Sequence, residues 1–109
     1  MNEEPNLIYL NKISDGDKTV RKRLLLVLKE EFTQEAEEYK FNIINNNLSS
    51  ASEKVHKIRH KIGFLGMDQA YDLANQYEQN LRTNSIQLKN EFEIILDVIN
   101  EFVLKIEVL

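Results

Sequence analysis

An all-α fold is predicted, an antiparallel four-helix bundle with a short additional helix at its N-terminus, and three observations predict it. Proline occurs once, at Pro5, and glycine three times, so both helix breakers are missing from long stretches of chain. Within those stretches apolar residues recur every three to four positions, the period of one helical face. At 109 residues and 42% hydrophobic content, residues 1–109 are expected to form a single domain that buries a core without metal or disulfide support, cysteine being absent.

The first helix is expected just after Pro5, with Leu7, Ile8 and Leu10 buried and the polar turn Ser14-Asp15-Gly16-Asp17 ending it. Asp17 has an N-cap side chain and is placed to start the second helix. That helix is long, with Val20, Leu24, Val27, Leu28, Phe32, Ala36, Tyr39 and Ile43 along one side and a bend expected near Thr33, until Asn45-Asn46-Asn47 breaks the pattern. Ser50-Ala51-Ser52-Glu53 has capping-box spacing, which predicts that the third helix opens there. Leu48, Ala51, Val55, Ile58, Ile62 and Leu65 make its seam, and Gly66 ends it. The fourth helix is predicted from about Asp68 to Arg82, burying Ala70, Tyr71, Ala74, Tyr77 and Leu81, with Thr83-Asn84-Ser85 after it. Leu88, Phe92, Ile95, Leu96, Ile99, Val103 and Ile106 give the fifth a wide stripe that requires at least two neighbours.

Charge and hydropathy narrow the function classes. A formal net charge of −4 has the wrong sign for a general nucleic-acid binder, whose affinity comes mainly from clustered Lys and Arg. The longest apolar runs, such as Leu24 to Leu28, are far shorter than the roughly 20 residues needed to cross a bilayer. The acidic start, Met1 to Asn6, lacks the apolar core of a signal peptide, and with no cysteine the expected compartment is the cytoplasm. A soluble monomer, binding neither nucleic acid nor membrane, is expected.

The chemistry concentrates in the third helix, which holds both histidines within Glu53 to Gly63. At about 100° per residue, the seam of Val55, Ile58 and Ile62 centres roughly 130° from His56, so its imidazole is expected to face largely outward. Ser49, Ser52 and Gly63 fall within about 40° of the same direction, a run of small residues that would let another protein approach. Glycine inside a helix costs about 1 kcal/mol relative to alanine, and clearance for a partner is one reason to accept that cost at Gly63. Four cations, Lys54, Lys57, Arg59 and Lys61, stand against one anion, Glu53, between Ser52 and Gly63, which reads as a local positive patch. Histidine attacks as the neutral ring; its reference pKa near 6.5 leaves much of it neutral, and neighbouring cations are expected to disfavour protonation. Arg59, one turn along, is placed to neutralise a phosphoryl group on His56.

The run His56-Lys57-Ile58-Arg59 followed by Leu65-Gly66-Met67 resembles the signature of histidine-containing phosphotransfer domains: a phosphorylatable histidine, an apolar residue two on, a base three on, and an apolar-glycine pair shortly after. The likeness extends over most of the chain, through the Asp15-Gly16-Asp17 turn, the helix reaching Phe32 and the Tyr77-Glu78 helix. It implies a four-helix bundle in which His56 takes a phosphoryl group from the aspartate of a response-regulator receiver domain and passes it to another, in a phosphorelay fed by a hybrid histidine kinase. Arg59 would stand where the family usually has Lys, retaining the charge with a forked donor. Ser52, Lys57, His60 and Gly63 would face the receiver, and His60 departs from the family by filling a position that is often glycine. No cofactor is implied on this chain; the divalent cation belongs to the receiver. Nothing resembles a kinase nucleotide site and there is no Gly-rich phosphate loop, so the implied role is that of a stoichiometric phosphocarrier rather than an enzyme.

Two other functions compete. A receiver-binding adaptor could keep the bundle and the docking face without phosphorylation, His60 being the unusual feature that favours it. A metal-binding bundle could use Glu53 and His56 as one Glu-x-x-His unit, or His56 and His60 as a zinc chelate, although di-iron bundles need that unit twice and no third histidine or cysteine exists.

Overall fold

The computed structural model describes residues 3–107. It is all-helical: α1 (Ile8–Ser14), α2 (Lys18–Ile44), α3 (Leu48–Phe64), α4 (Asp68–Arg82) and α5 (Lys89–Lys105), with no strand among the described residues. None of these helices is long and apolar enough to cross a membrane. Packing runs in a closed cycle, α2 on α3, α3 on α4, α4 on α5 and α5 back on α2, with α1 laid on α2. The centre of that cycle is filled by Phe32, Tyr39, Val55, Ile58, Ile62, Tyr77, Phe92 and Ile99, all fully buried. Removing a large apolar side chain from such a centre costs about 2–5 kcal/mol, because the cavity only partly collapses.

Local chemistry explains most boundaries. The Asp17 carboxylate accepts from the backbone N–H groups of Thr19 and Val20 at 2.9 and 3.1 Å, the N-cap expected of it. Gly66 ends α3 with φ +77°, a region in which a side chain is strained, and the Asn6 side chain lies where a Cβ would stand. Asn6 is there because the N-terminal segment straps the α3–α4 turn: its N–H donates to the Leu65 carbonyl at 2.9 Å. Three residues earlier, the Glu3 carboxylate accepts from the N–H groups of Gln69 and Ala70, satisfying the start of α4 from outside the helix.

Several expectations are corrected. The third helix starts at Leu48 after Asn47, and Ser50 lies inside it, so Ser50 and Glu53 form no capping box. Asn46 takes φ +55° and reverses the chain within the three-asparagine turn, which lets the helix begin three residues early. Helix α2 is continuous through Thr33, whose hydroxyl donates back to the Lys29 carbonyl at 2.8 Å, the kind of bond that often accompanies a bend. Val20 and Val27 are exposed and Leu25 is buried in their stead, because only α1 covers this end of α2 beside the core helices. Ile8 is likewise exposed, while Leu10 carries the burial of α1. Leu88 is the N-cap of α5, with φ +76°, and its partly buried side chain still packs against the core.

Candidate functional site

Helices α3 and α4 bring the site together. Val55, Ile58 and Ile62 turn one face of α3 into the core, and Ala70 and Ala74 of α4 are fully buried, small side chains that let the helices approach closely. That contact sets His56 of α3 over Glu78 of α4, 22 residues away in sequence. Glu78 is 2% exposed, and four contacts surround its carboxyl group. Arg82 reaches its Oε2 at 2.6 Å from one turn along α4, and Arg59 Nε lies 3.4 Å from its Oε1 as an ion pair. His56 Nδ1 lies 3.2 and 3.3 Å from its two oxygens. A buried carboxylate without such partners would be unfavourable by several kcal/mol.

Two groups bear on the tautomer of the ring. The Glu78 oxygens favour a proton on Nδ1, which leaves the lone pair of a neutral imidazole on Nε2, whereas Arg59 NH2, 3.1 Å from Nδ1, can only donate and favours the opposite tautomer. The His56 side chain is 44% exposed, consistent with the outward direction read from the seam. Its Nε2 looks toward His60, whose own Nε2 is 3.3 Å away, with the two rings edge to face. A neutral nucleophilic nitrogen at a surface, backed by a buried anion, can take up an electrophilic group and have the resulting positive charge on the ring compensated through Nδ1.

Arg59 is held on the Nδ1 side. Its NH2 is 3.1 Å from His56 Nδ1, its NH1 donates to Asn75 Oδ1 at 3.1 Å, and its guanidinium lies 5.2 Å from the centroid of the Tyr71 ring. With 15% of its side chain exposed, it is braced against α4 beside Glu78. The reading of Gly63 is corrected. A Cβ there would stand 3.1 Å from the Tyr71 ring, so the missing side chain admits Tyr71 of α4. Ser52 is also corrected: it is 3% exposed and donates its hydroxyl to the Ser49 carbonyl at 2.6 Å, which removes it from any docking surface.

The positive patch is smaller than the sequence implied. Lys54 pairs with Glu38 at 3.0 Å, and Lys61 pairs with both Glu31 and Glu35 at 3.0 Å, all three carboxylates being on α2. Hydrogen bonding from Lys54 holds the Glu38 carboxyl below its ordinary range, against a smaller opposing effect of burial. Of the four cations, Lys57 alone has no ion pair among the described residues, and it is exposed. Below it, Leu24, Val27 and Phe64 line an apolar cleft between α2 and α3 that reaches His60.

Glu78 is the central residue whose role the sequence did not disclose. Its only signal was its place beside Tyr77 in an amphipathic helix, where a lone carboxylate next to an apolar seam reads as solvated. No group of three or more His, Cys, Asp or Glu side chains converges on a possible metal position among the described residues. Compared with protein-family models, with curated proteins and with solved structures, the chain matches none.

Proposed function

We propose that the chain is a histidine phosphocarrier that accepts a phosphoryl group on His56 from a receiver-domain aspartate and passes it to another. The observation that carries this reading is the buried Glu78 carboxylate on Nδ1 of a half-exposed imidazole. The Nε2 lone pair attacks phosphorus, the P–O bond to the aspartate breaks, and the receiver leaves with a free carboxylate. The ring, still protonated on Nδ1, gains positive charge as the P–N bond forms, and Glu78 stabilises it. Arg59 and Arg82 pair with Glu78 and hold it in place; Arg59 would reach a phosphoryl oxygen only by leaving Asn75 and Tyr71.

The arrangement proposed for the fold is an antiparallel four-helix bundle with α1 as its short addition. The closed packing cycle and the three-residue turns between α2, α3 and α4 support it. Docking of the receiver falls on the surface around Nε2, where Lys57, His60 and the Leu24–Val27–Phe64 cleft lie together. The partner's carboxylates complement Lys57, and the cleft supplies the apolar part of the contact.

The test is transfer from a panel of aspartyl-phosphorylated receivers to the purified chain. An acid-labile, base-stable label is expected, lost in His56→Gln with a stability change of no more than about 0.5 kcal/mol. His60 beside Nε2 favours a second reading, the non-phosphorylated adaptor. Tight receiver binding without any label would select it.

A further inference from the structure

The nitrogen that the phosphocarrier reading requires to be reactive already has a partner. His56 Nε2 and His60 Nε2 are 3.3 Å apart, a hydrogen-bond distance, with the rings edge to face and their centroids 4.8 Å apart. Which ring donates depends on the contacts at the other nitrogen. Both oxygens of Glu78, buried and paired with two guanidinium groups, face His56 Nδ1 at 3.2 and 3.3 Å and call for a proton there, whereas Arg59 NH2, 3.1 Å from the same nitrogen, can only donate; where the carboxylate prevails, the proton is on Nδ1. A neutral His56 then has no hydrogen on Nε2 to give, and the hydrogen between the two rings belongs to His60.

We infer that His60 is a gate on His56: its Nε2–H occupies the Nε2 lone pair in the resting chain, and the ring must swing away before His56 can attack phosphorus. This rests on the phosphocarrier reading. One lone pair cannot accept a hydrogen bond along its axis and form a bond to phosphorus in the same direction. The structure gives the ring somewhere to go, since His60 is exposed and borders both the polar groove with Gln34 and Lys57 and the apolar cleft with Leu24 and Phe64. A receiver seated on that cleft would contact His60 as it approached His56, so docking and opening would be one event. His60 is thus a positioning residue that slows the uncomplexed chain, and it forms no bond to phosphorus.

A neutral hydrogen bond of ordinary net strength corresponds to a rate factor of about two to ten. The intact chain is treated with phosphoramidate, a donor too small to need docking, and phosphorylation of His56 is timed in the wild type, His60→Ala and His60→Gln. His60→Ala is expected to react about two- to tenfold faster, while His60→Gln, which keeps an N–H donor, stays closer to the wild type. The nitrogen-15 resonance of His56 Nε2 supplies the readout that a merely structural role would not move. It should sit at the position of an unprotonated, hydrogen-bonded nitrogen in the wild type and shift toward the free value in His60→Ala, with thermal unfolding unchanged. Equal rates with an unmoved resonance, or a wild-type His56 protonated on Nε2, would overturn the gate alone. If no variant is phosphorylated, the phosphocarrier reading fails and the gate falls with it.

Discussion

Adjacent residues of α4 belong to two buried polar clusters of opposite character. Tyr77 hydrogen-bonds Tyr39 of α2 at 2.6 Å, and Tyr39 donates on to Glu93 of α5 at 3.0 Å, with the Phe92 ring packed against both tyrosines. Glu78 meets Arg82, Arg59 and His56. The hydroxyls of the first cluster are enclosed by apolar rings and stay neutral: burial, before any other cause, pushes Tyr77 up to about 12 and Tyr39 well above the usual phenol range. They end on Glu93, which is 32% exposed and paired with Lys89. The second cluster opens to the surface through Arg82 and the half-exposed imidazole of His56. The first ties three helices together and exposes no nucleophile, whereas the second exposes a ring nitrogen. Burial of polar groups alone therefore does not mark a site; an exposed nucleophilic atom does.

The sharpest way to expose the difference is alkali. The folded phenols have raised pKa values, so their contribution to stability is complete below about pH 10, the unfolded value, and is lost as pH rises toward about 12. Phenolate absorbance and circular dichroism followed together should show Tyr39 and Tyr77 ionising only as the helices melt. Early ionisation of all four tyrosines in a folded chain would dissolve the contrast.

Next in size is Glu78→Ala, which leaves Arg59 largely buried without its anion. A loss of about 3 kcal/mol in denaturant unfolding is expected. Glu78→Gln is subtler and separates fold from chemistry. It retains an acceptor for Nδ1–H but removes the charge that compensates the ring, so phosphorylation of His56 should slow by about 10- to 100-fold, with a smaller stability loss than Glu78→Ala. Undiminished phosphorylation of Glu78→Gln would remove the charge from the chemistry and assign Glu78 to the fold alone.

The sequence disclosed what lies within one helix and withheld what lies between helices. Asp17, Gly66 and the span Asp68–Arg82 follow from local capping, positive φ and periodicity, and the structure has them as expected. The outward direction of His56 follows from angles on a single helix, and so does its nearness to His60. Glu78 could not be found that way, because its partners become neighbours only when α3 docks on α4. The same limit misjudged the basic patch. Lys54 and Lys61 are solvated on an isolated helix, and only the register of α2 brings Glu38, Glu31 and Glu35 to them. Gly63 and Ser52 suggested clearance for a partner, whereas a neighbouring ring and a backbone carbonyl account for them.

The smallest expected effect concerns steering. With Lys54 and Lys61 neutralised by α2, Lys57 is the cation left to attract a receiver's carboxylates, and that attraction is screened over about 8 Å at physiological salt. Lys57→Glu should slow association a few-fold at low salt and flatten its dependence on ionic strength, and stopped-flow binding to a receiver would measure both. Salt-independent rates in wild type and variant alike would reduce the patch to a solvated face.

One measurement bears most directly on the phosphocarrier reading. The nitrogen-15-labelled chain, phosphorylated by a receiver and kept at neutral to alkaline pH, is examined for scalar coupling between phosphorus and each imidazole nitrogen. Coupling to Nε2 of His56, with Nδ1 still protonated toward Glu78, is the expected result. Coupling to a nitrogen of His60, or to Nδ1 of His56, would contradict it, as would the absence of any phosphoramidate after exposure to the full receiver panel.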